Sequence, residues 1–78
     1  MNETTTEETP AQRAYRAYAA ADYAWSQELR RLYGNDAGTA RYQKAGKGEE
    51  GTELRRLHDA FTSTGAAYRA AIAPEQGT

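Results

Sequence analysis

The stretch that decides the fold is residues 9–34, TPAQRAYRAYAAADYAWSQELRRLYG. It opens with a helix start, since Thr9 is a hydroxyl cap, Pro10 suits the first helical position and Gln12 completes a capping box. Its large apolar residues then recur at helical spacing along one face. They are Tyr15, Tyr18, Trp25, Leu29 and Leu32. One long helix is predicted, ending just before Gly34.

A second apolar stripe lies in the last third of the chain. After a restart near residues 49–52, where acidic residues suit a helix N-terminus, helical spacing continues to Pro74, which ends the pattern. The residues of this stripe are Leu54, Leu57, Phe61, Thr64, Tyr68, Ala71 and Ile72. A second long helix is therefore predicted.

Two short sequence echoes indicate how the helices pair. Residues 28–32 and 53–57 both read ELRRL, and residues 14–17 and 67–70 both read AYRA. Each helix carries one copy of each echo, in opposite order, as expected for an antiparallel hairpin with approximate two-fold symmetry.

This register predicts specific neighbours across the hairpin. Trp25 is expected opposite Phe61, and the same register pairs Leu29 and Leu32 with Leu57 and Leu54. Asp22, the one charge inside the first stripe, is expected near Thr64 and Gly65. A carboxylate there needs a hydroxyl, a backbone N–H or water, because an unpaired buried charge is costly.

The segment between the two helices is rich in glycine. Five of the seven glycines fall between Gly34 and Gly51. Asp36 is placed to cap one short helix over roughly residues 37–45. Tyr42, within that helix, is expected to cover the open side of the hairpin.

The composition indicates a helical fold with a thin core. The 78 residues include 16 alanines, one isoleucine, no valine and no cysteine, so the chain has no disulfide and almost none of the apolar β-branched residues that fill sheets. The predicted fold class is all-α, an antiparallel helical hairpin of two long helices with a short connector helix. Such a small core supplies only about 3 to 5 kcal/mol of net stability. We therefore expect the connector, or a second copy of the chain in a homodimer, to cover it.

The chain divides into three parts by composition. Residues 1–9 are predicted to be a disordered acidic leader, residues 10–74 a single helical domain and residues 75–78 a disordered tail. The leader lacks the positively charged region and the apolar region of a signal peptide, and no window of the sequence is apolar enough for a membrane span. The expected location is the cytoplasm, with no membrane partner.

Residue sets for catalysis or metal binding are missing from the sequence pattern. His58 is the one histidine and no cysteine exists, so no transition-metal ligand set forms, and packing at the core boundary is the preferred interpretation. Residues 46–51 match G-x-G-x-x-G, but no strand precedes them and two glutamates stand where a phosphate would approach. A flexible joint is preferred there. We predict no enzyme activity, no catalytic residue, no cofactor and no metal.

Basic residues collect at the connector end of the predicted hairpin. The whole chain carries a formal charge of −1, yet seven cations meet at this end, diluted to +3 by Asp36, Glu49, Glu50 and Glu53. The predicted partner-binding residues are Arg30, Arg31, Tyr33, Arg41, Tyr42, Lys44, Lys47, Arg55 and Arg56. Solvated helix faces with weak local ion pairs are one interpretation. The other is a surface that receives carboxylates or phosphates.

The middle of the chain carries a resemblance to known sequences. WSQELRRLYG at residues 25–34, DAGTARY at 36–42 and GKG at 46–48 resemble short reading frames of bacterial phages and plasmids. The resemblance implies a small helical accessory factor, at its most specific an inhibitor of host defences of the anti-CRISPR kind. The balanced charge departs from the strongly acidic nucleic-acid mimics among such inhibitors.

Two functional hypotheses follow. The first is a non-enzymatic helical protein that docks on and inhibits a larger host protein or complex through the arginine-rich hairpin end. The second is a nucleic-acid-binding regulator that uses the same end, although the near-neutral total charge argues against a general nucleic-acid binder.

Overall fold

The computed structural model describes residues 8–73 and shows a helical hairpin. In chain order the elements are α1 (Pro10–Tyr33), a 3-10 turn (Gly34–Asp36), α2 (Ala37–Ala40), α3 (Lys44–Lys47) and α4 (Glu53–Ile72). Within residues 8–73 there is no strand, and the predicted all-α hairpin is confirmed. Residues 1–7 and 74–78, which hold most of the predicted leader, Pro74 and the tail, lie outside the described residues.

The start of α1 forms the predicted capping box. The Thr9 hydroxyl accepts the Gln12 backbone N–H at 3.0 Å, and the Gln12 side chain accepts the Thr9 N–H at 2.9 Å. Glu8 is tied to the same turn, because its carboxylate lies 2.6 Å from Nε of Arg16. Glu8 and Thr9, placed in the leader by composition, are therefore held against the helix by local hydrogen bonds.

An aromatic seam joins α1 to α4. The ring centroids of Trp25 and Phe61 lie 4.8 Å apart, which confirms their predicted pairing. Tyr18 stacks on both Phe61 and Tyr68, at centroid distances of 5.4 and 5.8 Å. Gly65 makes room for this ring, since a Cβ there would lie 3.0 Å from Cε1 of Tyr18. The seam sets the register of the hairpin.

The core is small, as the composition predicts. Its buried hydrophobic residues in the described part of the chain are Trp25, Leu29, Ala40 and Leu54. Leu32, predicted to share the apolar face, is 45% exposed. The register pairs Leu32 with Leu54, the second residue of α4, so α4 has no further turn beyond this pair to cover Leu32.

The connector differs from the single short helix that was predicted. A turn at residues 41–43 separates α2 from α3. Gly46 packs so tightly on α2 that a Cβ would lie 2.0 Å from the Ala40 carbonyl oxygen. The Gly46 carbonyl also accepts a hydrogen bond from the Trp25 indole at 2.9 Å. One continuous helix would carry Gly46 away from both Ala40 and Trp25, so these tertiary contacts override local helix propensity. The flexible joint that was predicted for residues 46–51 is therefore packed at its first residue.

Two details of the connector prediction also need correction. Asp36 precedes α2 but makes no side-chain capping hydrogen bond. Tyr42 does not cover the hairpin, since its side chain is 85% exposed. Arg41, the residue before it, covers the open side instead. The chain turns at Arg41, so the side chains of Arg41 and Tyr42 point to different sides. That a second copy of the chain covers the open side of the hairpin stays a prediction.

Candidate functional site: the connector end of the hairpin

Arg41 is held inside the fold by contacts with both long helices. Its guanidinium lies 4.5 Å from the Trp25 ring centroid and 5.2 Å from that of Phe61. It donates to Oγ of Ser26 at 2.9 Å and pairs with Asp22. The Arg41 side chain is only 23% exposed. Arg41 thus contributes to packing, unlike the outward-facing contact residue that the sequence predicted.

The partner of Asp22 also differs from the prediction. Asp22 was expected near Thr64 and Gly65, with a hydroxyl, a backbone N–H or water as its partner, but it pairs with Arg41 from the connector. The guanidinium is the better partner for a half-buried carboxylate, because it supplies a full opposite charge as well as hydrogen bonds.

Substituting Arg41 tests this arrangement. We expect Arg41→Lys to lower the free energy of unfolding by about 1 kcal/mol, because lysine keeps the charge but loses the planar stacking and the fork of donors. A double-mutant cycle of Arg41→Ala with Asp22→Asn should give a coupling energy of about 0.5 to 1 kcal/mol, measured by urea unfolding. Arg30→Ala, at an exposed position on α1, serves as the control. Strictly additive effects at positions 41 and 22 would contradict the pairing.

The two ELRRL echoes form equivalent ion pairs. Arg31 binds Glu28 through two hydrogen bonds, of 2.9 and 2.6 Å, and Arg56 binds Glu53 through two, of 2.9 and 2.5 Å. The hydrogen bond from each arginine, reinforced by its charge, holds the pKa of the glutamate below its usual value. Both glutamates are therefore ionised at neutral pH, and each places a negative charge beside its arginine.

Charge compensation extends to most of the predicted basic cluster. Arg55 lies 3.3 Å from Asp59 and donates to the Gly48 carbonyl at 3.1 Å. Of the seven cations, those with no carboxylate within 4.0 Å in residues 8–73 are Arg30, Lys44 and Lys47. Including the ion-pair partners, seven carboxylates stand at this end of the hairpin, namely Asp22, Glu28, Asp36, Glu49, Glu50, Glu53 and Asp59. Seven cations and seven carboxylates leave this end of the hairpin with no net formal charge. The net charge of +3 that was counted from the sequence therefore overstates the positive charge of the surface.

A groove opens where α1 ends beside α3 and the start of α4, and we call it the leucine groove. Its volume is about 590 Å³, and its apolar lining consists of Leu32, Tyr33, Ala45 and Leu54. Its charged lining consists of Glu28, Arg31, Lys44, Glu49 and Glu53. The Tyr33 hydroxyl donates to the Ala45 carbonyl at 3.2 Å, which fixes one wall. An apolar floor inside a polar rim is the usual anatomy of a protein interface.

The nine predicted residues divide among different parts of this end. Arg31, Tyr33 and Lys44 line the leucine groove. Tyr42, Lys47 and Arg55 line a second cleft beside α3, which Lys44 also borders. Arg41 lies inside the fold, Arg30 is exposed on α1 and Arg56 is paired with Glu53.

Three residues of the two clefts were assigned other roles from the sequence. Leu32 and Leu54 were assigned to the core, and His58 to packing at the core boundary. The edge of His58 does pack on the Trp25 ring, at 5.0 Å between centroids, but His58 also lines the second cleft. Helical spacing carries no signal for the exposure of Leu32, which follows from the position at which α4 begins.

No family model, curated protein or solved structure matches the chain. None of the helices within residues 8–73 has the length and apolar character needed to cross a membrane.

Proposed function

We propose that the protein is a small non-enzymatic binding protein that docks on a larger cytoplasmic protein through the leucine groove and inhibits it. The observation that carries this proposal is the open apolar floor of the groove. Leu32 is 45% exposed, although burying a leucine fully is worth about 1.5 to 3 kcal/mol. A partner side chain seated against Leu32 and Tyr33 recovers part of that energy.

The charges of the groove indicate the chemistry of the partner. Glu28 and Glu53 are already paired with arginines. Glu49 is exposed and has no basic group within 4.0 Å in the described part of the chain. A protein segment that presents a large apolar side chain next to a lysine or arginine fits this surface, with the apolar group on Leu32 and the cation at Glu49.

The balanced charge favours a protein over a nucleic acid at this end. Non-specific nucleic-acid binding depends on releasing counterions from phosphates through unpaired lysines and arginines. Four of the five arginines here are paired within the chain. The resemblance to phage and plasmid reading frames stays a prediction. It suggests that a bacterial host protein is the first partner to test.

Photo-crosslinking in bacterial cells tests the proposal. A photoreactive phenylalanine analogue at position 32 is expected to form a light-dependent adduct with one host protein. The same analogue at position 23, where the tyrosine is 66% exposed on α1, should not form that adduct. With the purified partner, we expect Leu32→Glu to weaken binding at least about tenfold by calorimetry, which corresponds to about 1.4 kcal/mol, while Tyr23→Glu leaves the affinity unchanged.

Three outcomes would contradict the proposal. They are equal adduct yields from positions 32 and 23, an adduct with nucleic acid alone, and no adduct from position 32 in a protein whose circular dichroism is native. Loss of the partner's activity on binding tests the inhibitory part of the proposal separately.

A further inference from the structure

We propose that the second cleft at the hairpin end, between α3 and α4, binds a small phosphate dianion, either inorganic phosphate or the phosphate group of a small monoester. We call it the cationic cleft. Its volume is about 570 Å³, and it is lined by Tyr42, Gln43, Lys44, Lys47, Gly48, Arg55, His58 and Asp59. It shares Lys44 and Gly48 with the leucine groove, and the proposal does not depend on the docking function.

Three cations from two structural elements converge on this cleft. Lys44 and Lys47 stand three residues apart on α3 and so share one face, while Arg55 comes from the start of α4. The one carboxylate in the lining is Asp59. The lining therefore carries a formal charge of +2 with His58 neutral, which matches the charge of a phosphate dianion.

Arg55 is positioned in advance for an incoming anion. Its Nη1 donates to the Gly48 carbonyl at 3.1 Å and its Nε to Asp59 at 3.3 Å. These bonds fix the plane of the guanidinium, whose Nη2 has no hydrogen-bond partner among the described residues. A fixed guanidinium loses little conformational entropy when it receives an anion.

His58 lines the cleft and carries one polar atom that is closed to solvent and unpaired among the described residues. Its side chain is 19% exposed, and its Nδ1 is buried without a hydrogen-bond partner in residues 8–73. The nearest carboxylate oxygen, on Asp59, lies 3.8 Å from Nδ1, beyond hydrogen-bond distance. Leaving a buried polar atom unpaired is unfavourable. His58 therefore lines the cleft with the rest of its ring, and the phosphate is held by the three cations.

The arrangement of donors favours phosphate over a carboxylate. The lysine ammonium groups and the guanidinium approach from two different helices, and a tetrahedral oxyanion presents acceptor oxygens in several directions, whereas a carboxylate presents two in one plane. The G-x-G-x-x-G spacing plays no part in this site. The amides of Gly46 and Gly48 already donate to the carbonyls of Gln43 and Ala45, at 3.0 and 3.3 Å, so recognition depends on side chains.

Titration of the whole protein with inorganic phosphate, followed by amide NMR at constant ionic strength, tests this site. We expect saturable shifts at Gly48, His58 and Asp59. The double variant Lys44→Ala, Lys47→Ala should weaken binding about tenfold or more, because two charge-assisted hydrogen bonds are lost. Both lysines are exposed, and alanine favours the helix, so the variant is expected to fold.

A matched double variant controls for net charge. Arg13→Ala, Arg69→Ala removes the same two charges from exposed positions near the start of α1 and the end of α4, outside the cleft, and it should keep the affinity within about twofold because distant surface charges are screened. A parallel titration with phenyl phosphate distinguishes the sources. Tighter binding than inorganic phosphate identifies a monoester that also contacts Tyr42, and equal binding identifies the free ion. Shifts that never saturate, or equal losses in the two double variants, would overturn the proposal.

Discussion

Replacing Trp25 with alanine is expected to leave the domain largely unfolded at room temperature. Trp25 is 3% exposed and contacts Phe61, His58 and Arg41 through its ring. Truncating a buried tryptophan costs about 3 to 5 kcal/mol. A core of this size supplies about the same net stability. Far-ultraviolet circular dichroism should therefore show a strong loss of helix and no cooperative thermal transition.

The variant Trp25→Phe separates the indole hydrogen bond from the ring packing. Phenylalanine keeps an aromatic ring in the seam but leaves the Gly46 carbonyl without its 2.9 Å donor. We expect a loss of about 1 to 3 kcal/mol from the unsatisfied acceptor and the smaller ring.

The matched control is Tyr23→Ala on the same helix. Tyr23 is 66% exposed, so its removal should change stability by less than about 0.5 kcal/mol. If Trp25→Ala unfolded cooperatively with a stability close to that of the wild type, the docking of the connector on Trp25 would be wrong.

Gly46→Ala is expected to destabilise the protein although alanine is the better helix former. A Cβ at Gly46 would lie 2.0 Å from the oxygen and 2.8 Å from the carbon of the Ala40 carbonyl. Both atoms belong to backbone, so relief requires α3 to move off α2. We expect a loss of about 1 to 3 kcal/mol, against a propensity gain of about 0.5 to 1 kcal/mol. In a domain of this length, each 1 kcal/mol lowers Tm by about 4 to 8 °C.

Gly38→Ala is the matched control, since it makes the same chemical change in the neighbouring short helix. A Cβ at Gly38 would meet no heavy atom within 4 Å. This variant should raise Tm, because alanine lowers the entropy of the unfolded chain and favours the helix. An increase in Tm for both variants would contradict the close packing of α3 on α2.

The long helices and their register were predictable because their determinants are local or repeated. The capping box at Thr9 and the apolar spacing each lie within a few residues of chain. The ELRRL echo predicted the antiparallel pairing, and the structure shows that each copy also forms the same ion pair three residues apart. None of these features depends on how the connector folds.

The candidate site was predictable only as a region. The sequence located the cations at the connector end, but their number overstated the available charge, because the pairing of Arg41 with Asp22 depends on a turn that no local signal marks. The leucine groove could not be predicted from the sequence, for a related reason. Helical spacing assigns Leu32 to the apolar face, and only the starting point of α4 shows that nothing covers it.

The amino-acid sequence by itself therefore determined two helices, their limits and their pairing, since caps and periodic faces act within one turn of the chain. The tertiary structure alone decided the path of the connector, which is set by contacts between residues far apart in sequence. The Trp25 indole bonds to Gly46 across 21 positions, and Arg41 pairs with Asp22 across 19. Such contacts outweigh the weak helix preference of the connector. They also shape the leucine groove and the cationic cleft, which share Lys44 and Gly48 at α3.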